Sequence, residues 1–175
     1  LWLSENNEYF KSNIKTEFEK RRVDSSRIIF AQRVALIADH LSRYAMADLF
    51  LDTHPYNAHT TALDSLKAGV PVLTLMGRSF ASRVAASLLN TIGLPELIRS
   101  TQEEYEALAI ELAMNPNKLT DIKNKLASNR LTTPLFDTPL FTKNLEVAYS
   151  KMYERYQAYL EPDHIYVTDV TVYEK

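Results

Sequence analysis

Cysteine is absent from this 175-residue sequence, so disulfide bonds and thiolate metal sites are excluded. No apolar run approaches the roughly 20 residues that a membrane-spanning helix needs, and no signal-peptide pattern opens the chain. The formal net charge is only -2, which removes the electrostatic basis for a nucleic-acid partner. We therefore expect a protein of a reducing compartment, the cytoplasm, with neither a membrane nor a nucleic acid as partner.

Three common catalytic and nucleotide-binding motifs are also missing. The sequence has no G-x-G-x-x-G, no P-loop and no Gly-x-Ser-x-Gly elbow, which disfavours a Rossmann dehydrogenase, a P-loop NTPase and an α/β-hydrolase. Glycine itself is scarce: Gly69, Gly77 and Gly93 are the only three, and each falls at a predicted junction between elements. This placement is typical of an α/β unit, in which glycine ends helices and lets strands turn.

Hydrophobic residues make up 46% of the chain, enough for a core, and one stretch organises them. Leu49–Leu51 is a short apolar strand, a helix begins at Thr60 or Thr61, and Gly69 suits a left-handed helix end. Val70–Leu75 is apolar enough for a buried strand. Strand, helix and strand at this spacing predict a parallel βαβ unit, whose first loop faces the crevice where such sheets bind ligands.

The remaining pattern predicts one α/β lobe over residues 1–175, with a Rossmann-like parallel sheet flanked by helices. Apolar Leu1–Leu3 looks like the end of a strand, so we expect a fragment of a longer protein. Val170 and Val172 belong to a predicted extended tail over 161–175. A further strand is predicted at 27–31, a short connector that could include a stub of strand at 94–98, and helices at 4–22, 36–47, 80–91, 101–114, 116–130 and 140–160.

The loop before the central helix carries His54, Tyr56 and His59, and the helix behind it begins with Thr60 and Thr61. The free N–H groups of a helix start bind anions, so this loop is a candidate phosphate site. His59 could equally be an ordinary surface histidine. A metal site built from Asp52, His54 and His59 is disfavoured, because their spacing matches no standard ligand pattern.

Two further polar residues have both a plain and a functional interpretation. Thr61 to Asp64 matches the capping-box pattern, so Asp64 could only cap the helix, or it could accept hydrogen bonds from the sugar hydroxyls of a nucleotide. His40 could be a histidine at the edge of the core that bonds a carbonyl. The residues alone leave these alternatives open.

Taken together, the motifs resemble the C-terminal catalytic lobe of the protein O-GlcNAc transferase and SPINDLY family, in a bacterial form. The resemblance extends from about Arg27 to His164. Its motifs are, in chain order, Asp48-Leu-Phe-Leu-Asp-Thr53, Asn57-Ala-His-Thr-Thr61, Ala68-Gly-Val-Pro-Val-Leu-Thr74, Ser79-Phe-Ala-Ser-Arg-Val-Ala-Ala-Ser87, Gly93-Leu-Pro-Glu-Leu-Ile98, Glu104-Tyr-Glu106 and Pro134-Leu-Phe-Asp-Thr138.

The resemblance implies a GT-B glycosyltransferase whose lobe binds a nucleotide sugar, typically UDP-GlcNAc. Transfer inverts the anomeric carbon and places the sugar on serine or threonine of an acceptor protein. The resemblance implies no cofactor and no metal, since helix-terminal amides and side chains stabilise the charge of the leaving diphosphate.

Binding roles follow from the same resemblance, and no catalytic residue is assigned to this fragment. His59, Thr60 and Thr61 correspond to the diphosphate site, and Asp64 corresponds to the acceptor for the ribose hydroxyls. The residues implied to contact the base are His40, whose ring packs on uracil, Val34 and Ala35 through their backbone, and Arg43 nearby.

Two departures qualify these roles. The segment from Phe30 to His40 is one residue longer than in the animal enzymes, and Leu36 or Ile37 stands where those enzymes carry a lysine. The family's upstream tetratricopeptide repeats, N-terminal lobe and a phosphate-binding lysine are also absent, and the acceptor protein is expected to bind through them. We therefore expect the isolated chain to transfer no sugar.

Three alternatives remain open from the sequence. Plant SPINDLY-type members use GDP-fucose, which would make this an O-fucosyltransferase lobe. A related bacterial branch adds hexose to asparagine, as a protein N-glycosyltransferase. A third possibility is a non-catalytic nucleotide-sugar-binding module, although the intact set from His59 to Asp64 disfavours it.

Overall fold

Parallel strands alternate with helices along most of the chain. The structure, a computed structural model, describes residues 1–167, so the predicted tail positions Val170 and Val172 lie outside the described residues. The strands are β1 (Trp2–Ser4), β2 (Ile29–Ala31), β3 (Phe50–Leu51), β4 (Val72–Leu75) and β5 (Ile98–Arg99). The helices are α1 (Glu8–Lys20), α2 (Ile37–Tyr44), α3 (Thr60–Ala68), α4 (Val84–Thr91), α5 (Gln102–Met114), α6 (Pro116–Thr132) and α7 (Thr138–Gln157).

The chain divides into two compact units, Leu1–Arg43 and Tyr44–Lys175. The strands correspondingly form two sheets, one of β1 and β2 and one in the order β3-β4-β5, and all three strand pairings are parallel. The predicted α/β class with parallel strands is therefore confirmed. The organisation as a single lobe stays a prediction.

The first unit has one buried apolar residue, Ile28, with 8% of its surface exposed. The rings of Phe10 on α1 and Phe30 on β2 meet edge to face, with centroids 6.2 Å apart. Helix α1 begins later than predicted. Asn7 is its N-cap and accepts a hydrogen bond from Phe10 N at 2.9 Å, while Ser4 is still part of β1.

The second unit holds the core. Every residue of β4 is buried, since β4 is the central strand of its sheet and packs against α3, α4 and α5. The members of the core cluster are Ala62, Leu66, Val72, Leu73, Ala85, Leu89, Ile92, Leu94, Leu97, Leu108, Leu112, Ile122 and Leu126. Burial of this apolar surface stabilises the unit by about 25 cal/mol for each Å² removed from water.

The helix ends of the second unit follow the local sequence. Gly69 ends α3 with φ 88, the left-handed conformation predicted for it. Ser79 Oγ accepts a hydrogen bond from Ser82 N and caps a single 3-10 turn, Phe80–Ser82, so α4 starts at Val84 and not at the predicted residue 80. Helix α7 starts two residues before the predicted position because Asp137 accepts a hydrogen bond from Leu140 N at 2.9 Å.

The start of α3 differs from the prediction in a way that matters for the site. The N-cap is His59, whose side chain makes no capping hydrogen bond, whereas Thr60 and Thr61 already belong to the helix. The threonines were expected to cap because their hydroxyls suit that role. Because the helix begins one residue earlier, their side chains are displaced from the capping position.

Candidate functional site

The candidate site in the second unit is the loop from Asp52 to His59 together with the start of α3. The loop follows β3, and the three strands of this sheet are parallel, so it lies at the edge where all three carboxyl ends meet. Ligands of open α/β sheets bind at that edge. The topology thus places this loop at the edge of the sheet where the sequence pattern predicts it, and its binding of phosphate stays a prediction.

Asp52 fixes the conformation of this loop. Its side chain is buried, with 4% of the residue exposed. Oδ1 accepts hydrogen bonds from the N–H groups of Ala58 at 2.7 Å and Thr53 at 2.9 Å, and Oδ2 accepts one from the Thr74 hydroxyl at 2.6 Å. The Tyr105 hydroxyl donates to the backbone carbonyl of Asp52 at 2.9 Å. One residue therefore joins the loop to β4 and α5.

Burial also raises the pKa values of Asp52 and Tyr105. Desolvation raises the pKa of Asp52 above its usual value, although the hydrogen bonds from Thr74, Ala58 and Thr53 and the nearby His59 charge act in the opposite direction. Burial, together with the Asp52 charge, raises the pKa of Tyr105 to about 12. Tyr105 therefore remains a neutral donor over the whole physiological range.

Asn57 connects this loop to the segment around Ala81, which follows β4. The residue is fully buried, and its Nδ2 donates to the carbonyl of Thr53 at 2.7 Å. Its backbone N–H donates to the carbonyl of Ala81 at 2.9 Å. Its Oδ1 has no hydrogen-bond partner among the described residues. The two loops thus hold each other in place behind the start of α3.

The amino end of α3 is open to solvent. Thr60 and Thr61 are exposed, and among residues 1–167 their N–H groups have no hydrogen-bond acceptor. Unpaired N–H groups of a first helical turn, with the helix dipole behind them, attract anions. This end of the helix can therefore bind a phosphate group.

The ring of His59 is held between two aromatic side chains. Tyr56 stacks on it with centroids 5.0 Å apart, and Phe80 meets it edge to face at 6.0 Å. His59 Nε2 lies 3.4 Å from the carbonyl oxygen of Ala81, so the tautomer with its proton on Nε2 donates there. The other ring nitrogen is then left to a ligand, to which it donates when the imidazole is charged.

A cavity of about 490 Å³ lies at the carboxyl ends of β4 and β5, and it is within the size range of small-molecule sites. Its lining includes two potential cations, His54 and Arg78. Gly77 forms part of the wall, and a Cβ atom built there would lie 3.0 Å from the His54 ring. The other lining residues are Leu75, Met76, Ser100 and Gln102.

The structure places the remaining predicted residues in two groups. Asp64 lies half-buried on α3, one turn beyond His59, so the four predicted diphosphate and ribose residues are together in the second unit. The four predicted base contacts belong to the first unit, two in the loop that precedes α2 and two on α2 itself. These are half-buried Val34, exposed Ala35, half-buried His40 and half-buried Arg43.

Arg43 supports the loop that the sequence assigned to the base. Its Nη1 donates to the carbonyl of Gln32 at 2.5 Å, and its guanidinium lies 5.8 Å from the centroid of the Trp2 ring. The second contact is within the range of a cation–π interaction. In the described conformation the arginine is therefore engaged with the protein itself.

Comparison with known proteins decides the family. The sequence profile of glycosyl transferase family 41 matches residues 1–145. This chain belongs to glycosyl transferase family 41. The predicted relationship to the O-GlcNAc transferase and SPINDLY family is thereby confirmed.

Several relatives in family 41 are similar over nearly the whole chain. One is a probable UDP-N-acetylglucosamine--peptide N-acetylglucosaminyltransferase SEC from Arabidopsis thaliana, 39% identical over 97% of this chain and 17% of its own length. Another is the Caenorhabditis elegans UDP-N-acetylglucosamine--peptide N-acetylglucosaminyltransferase, 35% identical over 94% of this chain and 14% of its own. The chain thus spans about a sixth of these relatives.

A solved structure of a family relative supports the fold. A K341M mutant of the Thermobaculum terrenum O-GlcNAc transferase is 34% identical, with a TM-score of 0.80, over 87% of this chain and 29% of that one. The similarity in both sequence and fold agrees with the predicted assignment to a GT-B glycosyltransferase lobe.

Sequence reasoning missed the residues that support the site. From the sequence, Asp52 was assigned only to a family motif and a disfavoured metal set, and Asn57 only to a family motif. Tyr105 lies 53 residues beyond Asp52, so no local pattern connects the two. A signal was available for Asp52 alone, since an acid directly after an apolar strand must find donors or stay in water.

Two further findings concern only the described part of the chain. Within residues 1–167, no three His, Asp or Glu side chains are grouped so that they could hold a metal ion. No helix in that range is both long and apolar enough to cross a membrane. The expectation of metal-independent chemistry stays a prediction.

Proposed function

We propose that this chain is the donor-binding part of an inverting, metal-independent protein O-glycosyltransferase that transfers GlcNAc from UDP-GlcNAc to serine or threonine. One observation carries the proposal: the exposed amino end of α3, with unpaired N–H groups at Thr60 and Thr61, at the carboxyl edge of a parallel sheet. The printed names of the plant and nematode relatives, which specify UDP-N-acetylglucosamine and a peptide, support the choice of donor and acceptor.

The chemistry assigned to this end of α3 is stabilisation of the leaving group. As the bond between sugar and diphosphate breaks, negative charge accumulates on the diphosphate. The N–H groups of Thr60 and Thr61 and the imidazole of His59 donate to those oxygens, and the helix dipole adds a favourable field. Because the loop is already held by Asp52 and Asn57, these donors need no rearrangement when the charge develops.

The remaining parts of the nucleotide have their own proposed contacts. Asp64, one turn along α3, accepts hydrogen bonds from the ribose hydroxyls. Val34, Ala35, His40 and Arg43 serve the base. The acceptor protein and the residues that activate its hydroxyl are assigned to regions outside this chain, so we propose that the 175-residue chain alone transfers no sugar.

Calorimetric titration of the full protein with UDP, uridine, GDP and inorganic pyrophosphate tests the site. We expect UDP to bind at least tenfold more tightly than uridine, because charge-assisted hydrogen bonds to phosphate are each worth about 1.5–3 kcal/mol. Equal affinities for UDP and uridine would refute the diphosphate role of α3. Tighter binding of GDP than UDP would instead point to the fucosyltransferase alternative.

The role of Asp64 is tested with a neutral replacement. We expect Asp64→Asn to weaken UDP by about tenfold while changing the affinity for inorganic pyrophosphate by less than about twofold, since only UDP carries a ribose. Lys67→Gln is the matched control, because Lys67 is an exposed charged residue on the same helix. An equal loss for both ligands would leave Asp64 with a structural role only.

A further inference from the structure

Asp52 is a buried acid whose side chain is hydrogen-bonded to the loop just before the start of α3. It closes the loop by accepting from Ala58 N at 2.7 Å, six residues further along the chain. Ala58 is immediately followed by His59, the N-cap of α3. A displacement of Ala58 would therefore move the His59 ring and the first N–H groups of the helix together.

Hydrogen bonds fix both the backbone and the carboxylate of Asp52. Asp52 N donates to the carbonyl of Leu73 on β4 at 3.0 Å. The Thr74 hydroxyl binds Oδ2 at 2.6 Å, and the Tyr105 hydroxyl binds the Asp52 carbonyl at 2.9 Å. Two of these contacts connect the loop to β4, every residue of which is buried, and the third connects it to α5.

We propose that Asp52 is a positioning residue for diphosphate binding, which acts by fixing the backbone of Ala58 and thereby the donors of His59, Thr60 and Thr61. It does not touch the ligand. Its own negative charge would repel a diphosphate, so its benefit comes from geometry and from the acceptor capacity that a carboxylate offers to several donors at once. This inference rests on the proposed function of α3.

The proposal predicts different effects on binding for two substitutions of Asp52. Asp52→Ala removes the acceptor of Ala58 N, Thr53 N and the Thr74 hydroxyl together. Asp52→Asn keeps an oxygen for the two N–H groups and presents its amide to the Thr74 oxygen, so the loop keeps its course. The conservative variant should therefore restore binding even though the charge is gone.

The measured quantity is the ratio of UDP affinity to uridine affinity, in the full protein. We expect Asp52→Ala to lower this ratio by about tenfold, the loss of about one charge-assisted hydrogen bond, and Asp52→Asn to stay within about threefold of the wild type. The control is Ser65→Ala, which removes a buried hydroxyl donating to the Val70 carbonyl at 3.0 Å near the opposite end of α3. Its ratio should not change.

Each result has a defined meaning. A folded Asp52→Ala variant with the wild-type ratio would overturn the positioning role. Should that variant not fold, Thr74→Val decides instead: it removes one donor to Asp52, and we expect a ratio lowered by about threefold, whereas an unchanged ratio refutes the proposal. A wild-type protein that binds UDP no better than uridine would refute the proposed function itself, which is a separate outcome.

Discussion

The two loops assigned to the nucleotide are built in opposite ways. The loop of residues 52–59 is held from inside, because Asp52 is 4% and Asn57 0% exposed and both make several hydrogen bonds. The loop of residues 32–36 is held from outside, by the solvent-exposed contact between Arg43 and the carbonyl of Gln32. The helices behind them differ likewise, since α3 has buried residues whereas no described residue of α2 is buried.

This difference indicates how each part of a nucleotide would be bound. The diphosphate requires several donors aimed at one small charged group, and rigid support serves that need. A base is a flat surface that a loose segment can pack against after it arrives. We therefore expect the 52–59 loop to be formed before binding and the 32–36 loop to become more ordered on binding.

The largest expected effect separates the two loops by stability. Asp52→Ala leaves two partly buried N–H groups and the buried Thr74 hydroxyl without their acceptor, so we expect a loss of about 3 kcal/mol. Arg43→Ala removes contacts at the surface and should cost at most about 1 kcal/mol. Thermal unfolding of both variants measures the contrast, and similar losses would show that the loops are equally supported.

Hydrogen exchange gives the next largest effect without any substitution. Amides of α3 should exchange about 100-fold more slowly than those of α2, because opening α3 exposes core residues such as Leu66 whereas opening α2 exposes none. Added UDP should slow the amides of α2 more than those of α3. Equal protection in the free protein would contradict the comparison.

Tyr105→Phe tests one contact of the inner loop and adds a pH dependence. Loss of the hydrogen bond to the Asp52 carbonyl should cost about 1 kcal/mol near neutral pH. A pKa of Tyr105 raised to about 12 means that the folded protein favours the neutral phenol, so this stabilisation is complete below pH 10 and lost towards pH 12. The difference between wild type and variant should therefore shrink over that interval.

Tyrosinate absorbance provides an independent measurement of the same group. The chain has ten tyrosines, and the wild type should show one that ionises near pH 12 and is missing from Tyr105→Phe. A stability difference that stays constant from pH 9 to pH 12 would mean that the phenol is not shielded by burial.

The smallest expected effect concerns the outer loop. Leu36 is 65% exposed, so Leu36→Lys should change stability by no more than about 0.5 kcal/mol. It restores the residue type that the animal enzymes carry in this segment, and we expect it to tighten UDP by a few-fold. Ser42→Lys is the control for one added positive charge, since Ser42 is an exposed neutral residue on α2. Equal gains from both would show only a general electrostatic effect.

The sequence was informative where the physics is local. Glycine at position 69 and the apolar run from Val70 have their predicted roles, because helix ends and buried strands depend on near neighbours. The position of His59 at the start of α3 was one residue from the prediction. That shift arises from tertiary contacts, since the loop that sets the helix start is fixed by Asp52.

Other features depend on residues that are distant in sequence. Burial of Asp52 and the contact from Tyr105 need β4 and α5 in place, and no periodicity reveals them. The division into two units was likewise not foreseen, because no linker composition marks the chain near Arg43. Such properties follow from which surfaces meet after folding.

The close approach at Gly77 constrains how this site can diversify. A Cβ atom there would lie 2.4 Å from Ser82 Oγ, and that same hydroxyl accepts from Ser79 N at 3.1 Å. A larger residue at 77 therefore requires a smaller residue at 82, which would remove the hydrogen bond from Ser79 N to Ser82 Oγ and leave the one from Ser82 N to Ser79 Oγ. Positions 77 and 82 should change as a pair in any laboratory evolution of the cavity, and libraries that vary one alone will return mostly the parent sequence.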